Sequence, residues 1–165
     1  MYRIGLGHDT HRFTEGNFLR LGGVTIPYSQ GLLGHSDADV LLHAVADALL
    51  GALNLGDIGE HFSDHDPENK NRNSEEILSI VFKMVQNLSF EIVNIDSIIF
   101  TELPKLSPYK AQIAQNIARL LNLPPDFVSV KAKTGEKIGI IGRKEAISAE
   151  VIVLLKKSSI QIGER

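Results

Sequence analysis

The chain has 165 residues, 43% hydrophobic and 22% charged, with 17 Lys and Arg against 20 Asp and Glu and a net charge of −3. That size and mixture suit one globular domain with a real core, and the acidic balance argues against electrostatic nucleic-acid binding or a polybasic membrane patch. There is no cysteine, so disulfides and thiolate zinc sites are excluded and any zinc must be held by His and Asp or Glu. No apolar run reaches the ~18 residues of a membrane span, and no signal-type apolar segment opens the chain, so the expectation is a soluble, cytoplasmic protein that uses no membrane.

Tyr2 to His8 reads as a first strand. If the extended geometry continues through Asp9-Thr10-His11, then Asp9 and His11 project to one side. Phe18 to Leu21 and Val24 to Pro27, joined by Gly22-Gly23, read as a hairpin. The next stretch organises the chain: Gly34-His35-Ser36-Asp37-Ala38-Asp39 feeding a helix to about Leu53. Ser36 suits an N-cap, and Asp39 stands three residues on, close to a capping box. Leu41, Ala44, Val45, Ala48, Leu49 and Ala52 give the helix a buried face. Asp39, His43 and Asp47 are four apart and share one stripe. Gly34 and His35 precede the N-cap, where free N–H groups and the helix dipole favour an anion.

Residues 54–73 form a long polar connection, a length that is usually functional in a compact domain. Asn73 with Glu76 is a second capping signature, opening a helix to about Asn87 with Ile77, Ile80, Val81, Met84 and Val85 on its core face. Phe90 to Thr101 reads as a strand and Pro108 to Asn122 as a helix stopped by Leu123-Pro124-Pro125. Phe127 to Thr134 is a strand, residues 135–142 a glycine-bearing loop, and Ile147 to Leu155 a strand with alternate residues on one face. The order implies an α/β or α+β single domain, a mixed sheet with helices packed on one face. The other face then needs cover, which oligomerisation can supply.

All six histidines (His8, His11, His35, His43, His61 and His65) fall in the first 65 residues, so metal or phosphate chemistry should be concentrated there. Asp9-x-His11 from a strand with His43 from a helix would make a His2Asp site, the three-ligand pattern of catalytic zinc. Each piece alone is common by chance, and a lone helical histidine is more often a satisfied core or surface residue than a ligand. Gly56-Asp57-Ile58-Gly59 and Ser63-Asp64-His65-Asp66-Pro67 are acceptor-rich turns, read either as ordinary Asx-turns or as hydroxyl recognition through Asp57. Thr101-Glu102-Leu103-Pro104-Lys105-Leu106 leaves a strand and can offer backbone groups to a planar base. In Lys133-Thr134-Gly135-Glu136-Lys137, Thr134 could donate to phosphate and Glu136 hold magnesium, or the segment is a plain charged turn.

Five segments in order, residues 3–11, 34–50, 56–67, 101–109 and 130–143, resemble the 2-C-methyl-D-erythritol 2,4-cyclodiphosphate synthase family of the non-mevalonate isoprenoid pathway. The Gly-His-Ser-Asp-Ala-Asp run feeding a His-bearing helix is the most specific of them. The resemblance implies closure of 4-diphosphocytidyl-2-C-methyl-D-erythritol 2-phosphate to a cyclic diphosphate with release of CMP. It implies a homotrimer with its sheets facing inward and its active sites at subunit interfaces.

Carried over by motif, the resemblance gives one zinc ion per subunit to Asp9, His11 and His43, and a second divalent ion, magnesium or manganese, to Glu136. It makes His35 and Thr134 stabilisers of the transition state. It implies substrate contacts from Asp9, Thr10 and His11, from His35 and Ser36, and from Asp57, Ile58 and Gly59 at the ribose. Phe62, Ser63, Asp64, His65 and Asp66 fall in a loop on the methylerythritol side. Thr101, Glu102, Leu103, Pro104, Lys105, Leu106 and Ser107 would read cytosine largely through their backbone. Lys133, Thr134, Gly135 and Glu136 would meet the diphosphate, and Ile140 and Arg143 match further ligand or trimer-channel positions. Thr10, where the family usually has valine, should point away from the metal. Lys133 stands in place of a threonine and Ile140 in place of a frequent phenylalanine.

Overall fold

The computed structural model describes residues 1–34, 36–63, 69 and 72–158. Its elements run β1 (Tyr2–Glu15), β2 (Phe18–Leu21), β3 (Val24–Pro27), β4 (Gln30–Leu32), α1 (Val40–Ala52), α2 (Ile58–His61), α3 (Ser74–Asn87), β5 (Phe90–Phe100), α4 (Lys110–Leu120), β6 (Val128–Lys133), α5 (Gly139–Gly142) and β7 (Ala146–Lys157). The main sheet has the order β4-β1-β7-β5-β6. Only the β5–β6 pair is parallel, with α4 in the connection between them, and β1, β4, β5 and β7 pair antiparallel. The fold is a single α+β domain with a mixed sheet.

Strand alternation decides which face is covered. Ile147, Ala149, Val151, Val153 and Leu155 of β7 are fully buried beneath the helices. On the opposite face Tyr2, Ile4, Leu6 and Ile152 stand exposed at 51–72%, and the register puts Leu6 beside Ile152 and Ile4 beside Leu154.

Helix α1 is the centre of the core, with ten of its thirteen residues buried. It lies unusually close to β1 because the strand offers glycine where the helix approaches. A Cβ on Gly5 would fall 1.9 Å from the Ala48 carbonyl oxygen, and one on Gly7 2.0 Å from that of Ala44. Small residues on both elements let the two backbones touch and set the register between them.

The start of α1 differs from the sequence expectation. The N-cap is Asp39, not Ser36. Asp39 is fully buried; its Oδ1 accepts from Leu42 N at 3.0 Å and Gly22 N at 2.9 Å, and its Oδ2 accepts from Gly23 N at 2.7 Å. One carboxylate thus closes the helix end and locks the turn of the β2–β3 hairpin, where Gly22 and Gly23 take φ of 59° and 77°. Burial pushes the Asp39 carboxyl up, outweighing these three N–H groups. Asp39 therefore belongs to the scaffold, although it is spaced like a partner for His43. Asp47 is likewise occupied, its Oδ1 accepting from Ile58 N at 3.2 Å and so tying α2 to α1.

The remaining differences are at element ends. β4 is three residues long and carries no period of its own. α2 and α5 are single turns inside segments read as loops. α4 begins at Lys110 rather than Pro108. α3 is capped by Asn73, whose side chain accepts from Glu75 N, and buries Leu78 beside Ile77, Val81 and Val85.

Candidate active site

β1 remains extended through Thr14, so Asp9 and His11 share one side of the strand. The close β1–α1 packing lays His43 across them. His11 Nε2 and His43 Nδ1 each lie 3.0 Å from Asp9 Oδ2, and 3.3 Å from one another. Thr10 points the other way, its hydroxyl 3.1 Å from His8 Nε2. Among the described residues this is the one group of three potential metal ligands with converging donor atoms.

The partners behind the two rings decide what those rings present. His11 Nδ1 lies 2.8 Å from the Leu33 carbonyl oxygen, which can only accept, so Nδ1 carries the proton and Nε2 turns a lone pair inward. His43 Nε2 lies 2.9 Å from Ser74 Oγ and 3.0 Å from Ser36 Oγ. With its proton on that side, Nδ1 also turns a lone pair toward Asp9. With both rings neutral, three acceptors converge with no proton among them, a set that takes up a metal ion or, without one, a proton shared between Asp9 and a ring. Donors held at 2.0–2.2 Å around a tetrahedral ion stand roughly 3.3–3.5 Å apart, close to the observed edges. The residues fit a metal of the zinc type.

Burial opposes charge on Asp9, but its hydrogen bonds and charge attraction with His11 and His43 win and hold the carboxyl far below the usual range. Burial likewise opposes charge on His11, and Asp9 outweighs it, raising the ring.

This triad floors a cleft of about 520 Å³ whose lining includes Leu33, Gly34, Ser36, Ile58, Gly59, Phe62, Asn69 and Ile77. Asp57 caps α2 by accepting from Glu60 N at 3.0 Å, so the turn reading holds for its Oδ1, and the same cap presents Ile58 and Gly59 to the cleft. His61 turns aside to the Leu55 carbonyl at 2.7 Å. The Ser63 carbonyl accepts from Asn69 Nδ2 at 3.1 Å. His35, Asp64, His65 and Asp66 lie outside the described residues.

The other expected residues assemble elsewhere on the chain. Thr101 N donates to the Lys133 carbonyl at 2.9 Å, and Glu102 Oε2 accepts from Gly135 N at 3.1 Å. These bonds join the 101–107 segment to the 133–136 turn. Thr101 and Leu106 are buried, at 4% and 3%, so their side chains serve the fold and only their backbones could face a ligand. Thr101 Oγ1 donates to the Leu103 carbonyl at 2.5 Å, and the Leu103–Pro104 peptide is cis. Thr134 Oγ1 donates to Glu136 Oε1 at 2.6 Å. Glu136 and Lys137 both take positive φ, 49° and 63°. Ile140 is 48% exposed, and Arg143 pairs with Glu145 at 2.7 Å. None of these residues lines the cleft above Asp9, His11 and His43. The candidate residues thus fall into two separate groups on one chain.

A model of the YgbB family matches residues 2–156. The chain belongs to the YgbB family. A relative from Geobacillus thermodenitrificans, named 2-C-methyl-D-erythritol 2,4-cyclodiphosphate synthase, is 53% identical over 158 residues, 96% of this chain and 99% of that protein. A synthase of the same name from Chlorobaculum tepidum is 50% identical over 156 residues, 94% of this chain and 99% of that one. Among solved structures, the bifunctional IspDF of Campylobacter jejuni superposes with a TM-score of 0.93 at 43% identity, covering 96% of this chain and 43% of that one. The IspF of Plasmodium falciparum in complex with CDP matches at TM-score 0.84 and 36% identity, over 96% of this chain and 97% of that one.

Three features of this YgbB-family site escaped the sequence reading. Asp37 and Ser74 stand behind His43 although 37 residues separate them. The Leu33 carbonyl orients His11, and backbone acceptors leave no mark in a side-chain pattern. Glu102 holds the Gly135 amide from 33 residues away. Ser74 was visible only as the residue after a good N-cap.

Proposed function

We propose that this chain is a 2-C-methyl-D-erythritol 2,4-cyclodiphosphate synthase, a lyase of isoprenoid precursor biosynthesis by the non-mevalonate route. It would close 4-diphosphocytidyl-2-C-methyl-D-erythritol 2-phosphate to the cyclic diphosphate and release CMP. The observation that carries the reading is the convergence of Asp9, His11 and His43 as three inward-facing acceptors, in a chain 53% identical to a synthase of that name. The CDP complex of the Plasmodium relative supports a cytidine nucleotide as ligand.

The chemistry suits the residues. The nucleophile is an oxygen of the substrate's own 2-phosphate, already anionic at neutral pH. It bonds to the inner phosphorus, the bond from that phosphorus to the CMP oxygen breaks, and CMP leaves as a phosphate. No general base is needed. What the protein must supply is in-line positioning and charge neutralisation. Zinc on Asp9, His11 and His43 would act there as a Lewis acid, with one coordination position left for a ligand other than the protein. Glu136 would hold the second divalent ion, magnesium or manganese, and Thr134, no longer donating to Glu136, would donate to a phosphate oxygen. His35 and Ser36 would bind phosphate, and Asp57 and Gly59 the ribose. The backbone of residues 101–107 would read cytosine. Two divalent ions offset the repulsion between a net acidic chain and a polyanionic substrate.

The two separate groups support a homotrimer in which the metal cleft of one subunit faces the 101–107 and 133–136 segments of the next. The exposed Ile4, Leu6 and Ile152 support the same assembly, since a sheet face of this kind calls for cover. A cytoplasmic site of action fits, and no described helix is long and apolar enough to cross a membrane. Subunit mixing tests the shared site. His43→Ala and Glu136→Ala chains, each inactive alone, should recover about a quarter of wild-type activity when co-assembled at equal ratio, because a mixed trimer regains one intact site. No recovery from mixed trimers would place the whole site within one chain.

A further inference from the structure

We propose that Ser74 and Asp37 are positioning residues for His43, forming a carboxylate–hydroxyl–imidazole chain that presents Nδ1 of that ring to the metal. The inference rests on the metal reading of the preceding subsection and adds two residues to it. It follows from a count of protons. The hydroxyl of Ser74 has one proton, and the Asp37 Oδ1 carboxylate oxygen takes it. The same carboxylate accepts from Ser74 N through Oδ2 at 3.3 Å. Ser74 Oγ therefore meets His43 Nε2, 2.9 Å away, with a lone pair. Two lone pairs do not attract, so Nε2 carries the ring proton and donates it to Ser74. A neutral ring protonated at Nε2 is bare at Nδ1, the atom 3.0 Å from Asp9 Oδ2.

A purely local role for Ser74 does not account for this geometry. The cap of α3 is already made by Asn73, which accepts from Glu75 N at 2.8 Å. The Ser74 hydroxyl instead spans from α3 to the loop before α1, and Ser74 is fully buried. Ser36 Oγ stands 3.0 Å from the same ring nitrogen and itself accepts from Ala38 N at 3.2 Å, which makes it a second, weaker support. A carboxylate pulling on the Ser74 proton makes Oγ a better acceptor and Nδ1 a better electron donor. The ring is thus held in the ligating tautomer before any ion arrives.

The test is zinc affinity of the full chain by competition with a chelator, together with long-range proton–nitrogen NMR of the histidine rings with and without zinc. Ser74→Ala should weaken zinc ~10–100-fold, the range for lost outer partners of a ligand, while Ser74→Thr, which keeps the hydroxyl, stays within about threefold. Asp37→Ala should weaken zinc in the same direction, and Asp37→Asn, which keeps an acceptor oxygen, should recover most of the loss. Asp37 is half-exposed, so this second pair carries the comparison if Ser74→Ala fails to fold. In the zinc-free wild type the His43 ring should be the Nε2–H tautomer, becoming a mixture in Ser74→Ala. A His43 ring protonated at Nδ1 in the wild type, or unchanged affinity in both alanine variants, would overturn the proposal. A wild-type chain that binds no zinc would remove the metal reading, while the ring tautomer would still decide the chain from Asp37 to His43.

Discussion

Gly7 lies directly under Ala44: a Cβ at Gly7 would sit 2.0 Å from the Ala44 carbonyl oxygen. Two residues further along β1 is Asp9, and one residue back along α1 is His43. The contact that lets helix and strand touch is thus next to the contact that brings His43 to Asp9 and His11, and the backbone register of the first fixes the second.

Gly7→Ala should therefore damage both stability and metal binding. The obstacle is backbone on both sides, so α1 must move, at a cost of about 3 kcal/mol or more. A shift of even 1 Å separates His43 Nδ1 from Asp9. Chemical denaturation and zinc titration of the variant check this, and a soluble variant with wild-type zinc affinity would show that the register does not depend on the glycine.

Removing a ligand should act on the metal without unfolding the chain. His43→Ala takes away one of three donors, and zinc affinity should fall more than ~100-fold, beyond the range for outer partners. Metal analysis of the purified variant reads the loss, and CMP production should collapse with it.

Asp39 is a stability residue, in spite of its spacing from His43. Asp39→Ala strands the N–H groups of Gly22, Gly23 and Leu42, and about 2–4 kcal/mol should be lost through unpaired buried donors and a missing cap. Asp39→Asn, which keeps one acceptor oxygen, should cost less. Urea unfolding compares the two.

The sequence made some of this legible and hid the rest for physical reasons. Asp9 and His11 could be paired because a strand alternates with period two, and β7 alternates cleanly for the same reason. The hairpin was visible in Gly22-Gly23. His43 was read with two sets of companions: Asp39 and Asp47, which share its helical stripe but are claimed by the hairpin turn and α2, and Asp9 and His11, which the structure does bring to it. Residue chemistry suggested that meeting; the packing of α1 on Gly5 and Gly7 that makes it possible is an approach of backbone to backbone, which a side-chain pattern does not announce. The residue pattern did not show that the candidate residues separate into two groups, because motif order along a chain does not say which face each motif reaches.

Asp96 and Lys131 pair at 2.5 Å on the open sheet face. The Lys131 ammonium holds the Asp96 carboxyl below its usual value of 3.8, burial opposing weakly. A lowered carboxyl contributes stability above its unfolded value and loses it as pH falls through the lowered one. Both side chains are 42% exposed, so the contribution in an isolated chain is below ~1 kcal/mol. Lys131→Ala should be less stable than wild type near neutral pH, and the gap should narrow below about pH 4 as Asp96 takes a proton. Urea midpoints across pH measure it, and a gap that widens on acidification would contradict the assignment.

The most direct measurement is a phosphorus NMR time course with purified protein, 4-diphosphocytidyl-2-C-methyl-D-erythritol 2-phosphate and magnesium, with and without a zinc chelator. The account predicts that cyclic diphosphate and CMP appear together and that the chelator stops both. CMP accompanied only by linear phosphates would mean that water, not the substrate's 2-phosphate, is the nucleophile, and would contradict the assignment of this chain as a cyclodiphosphate synthase.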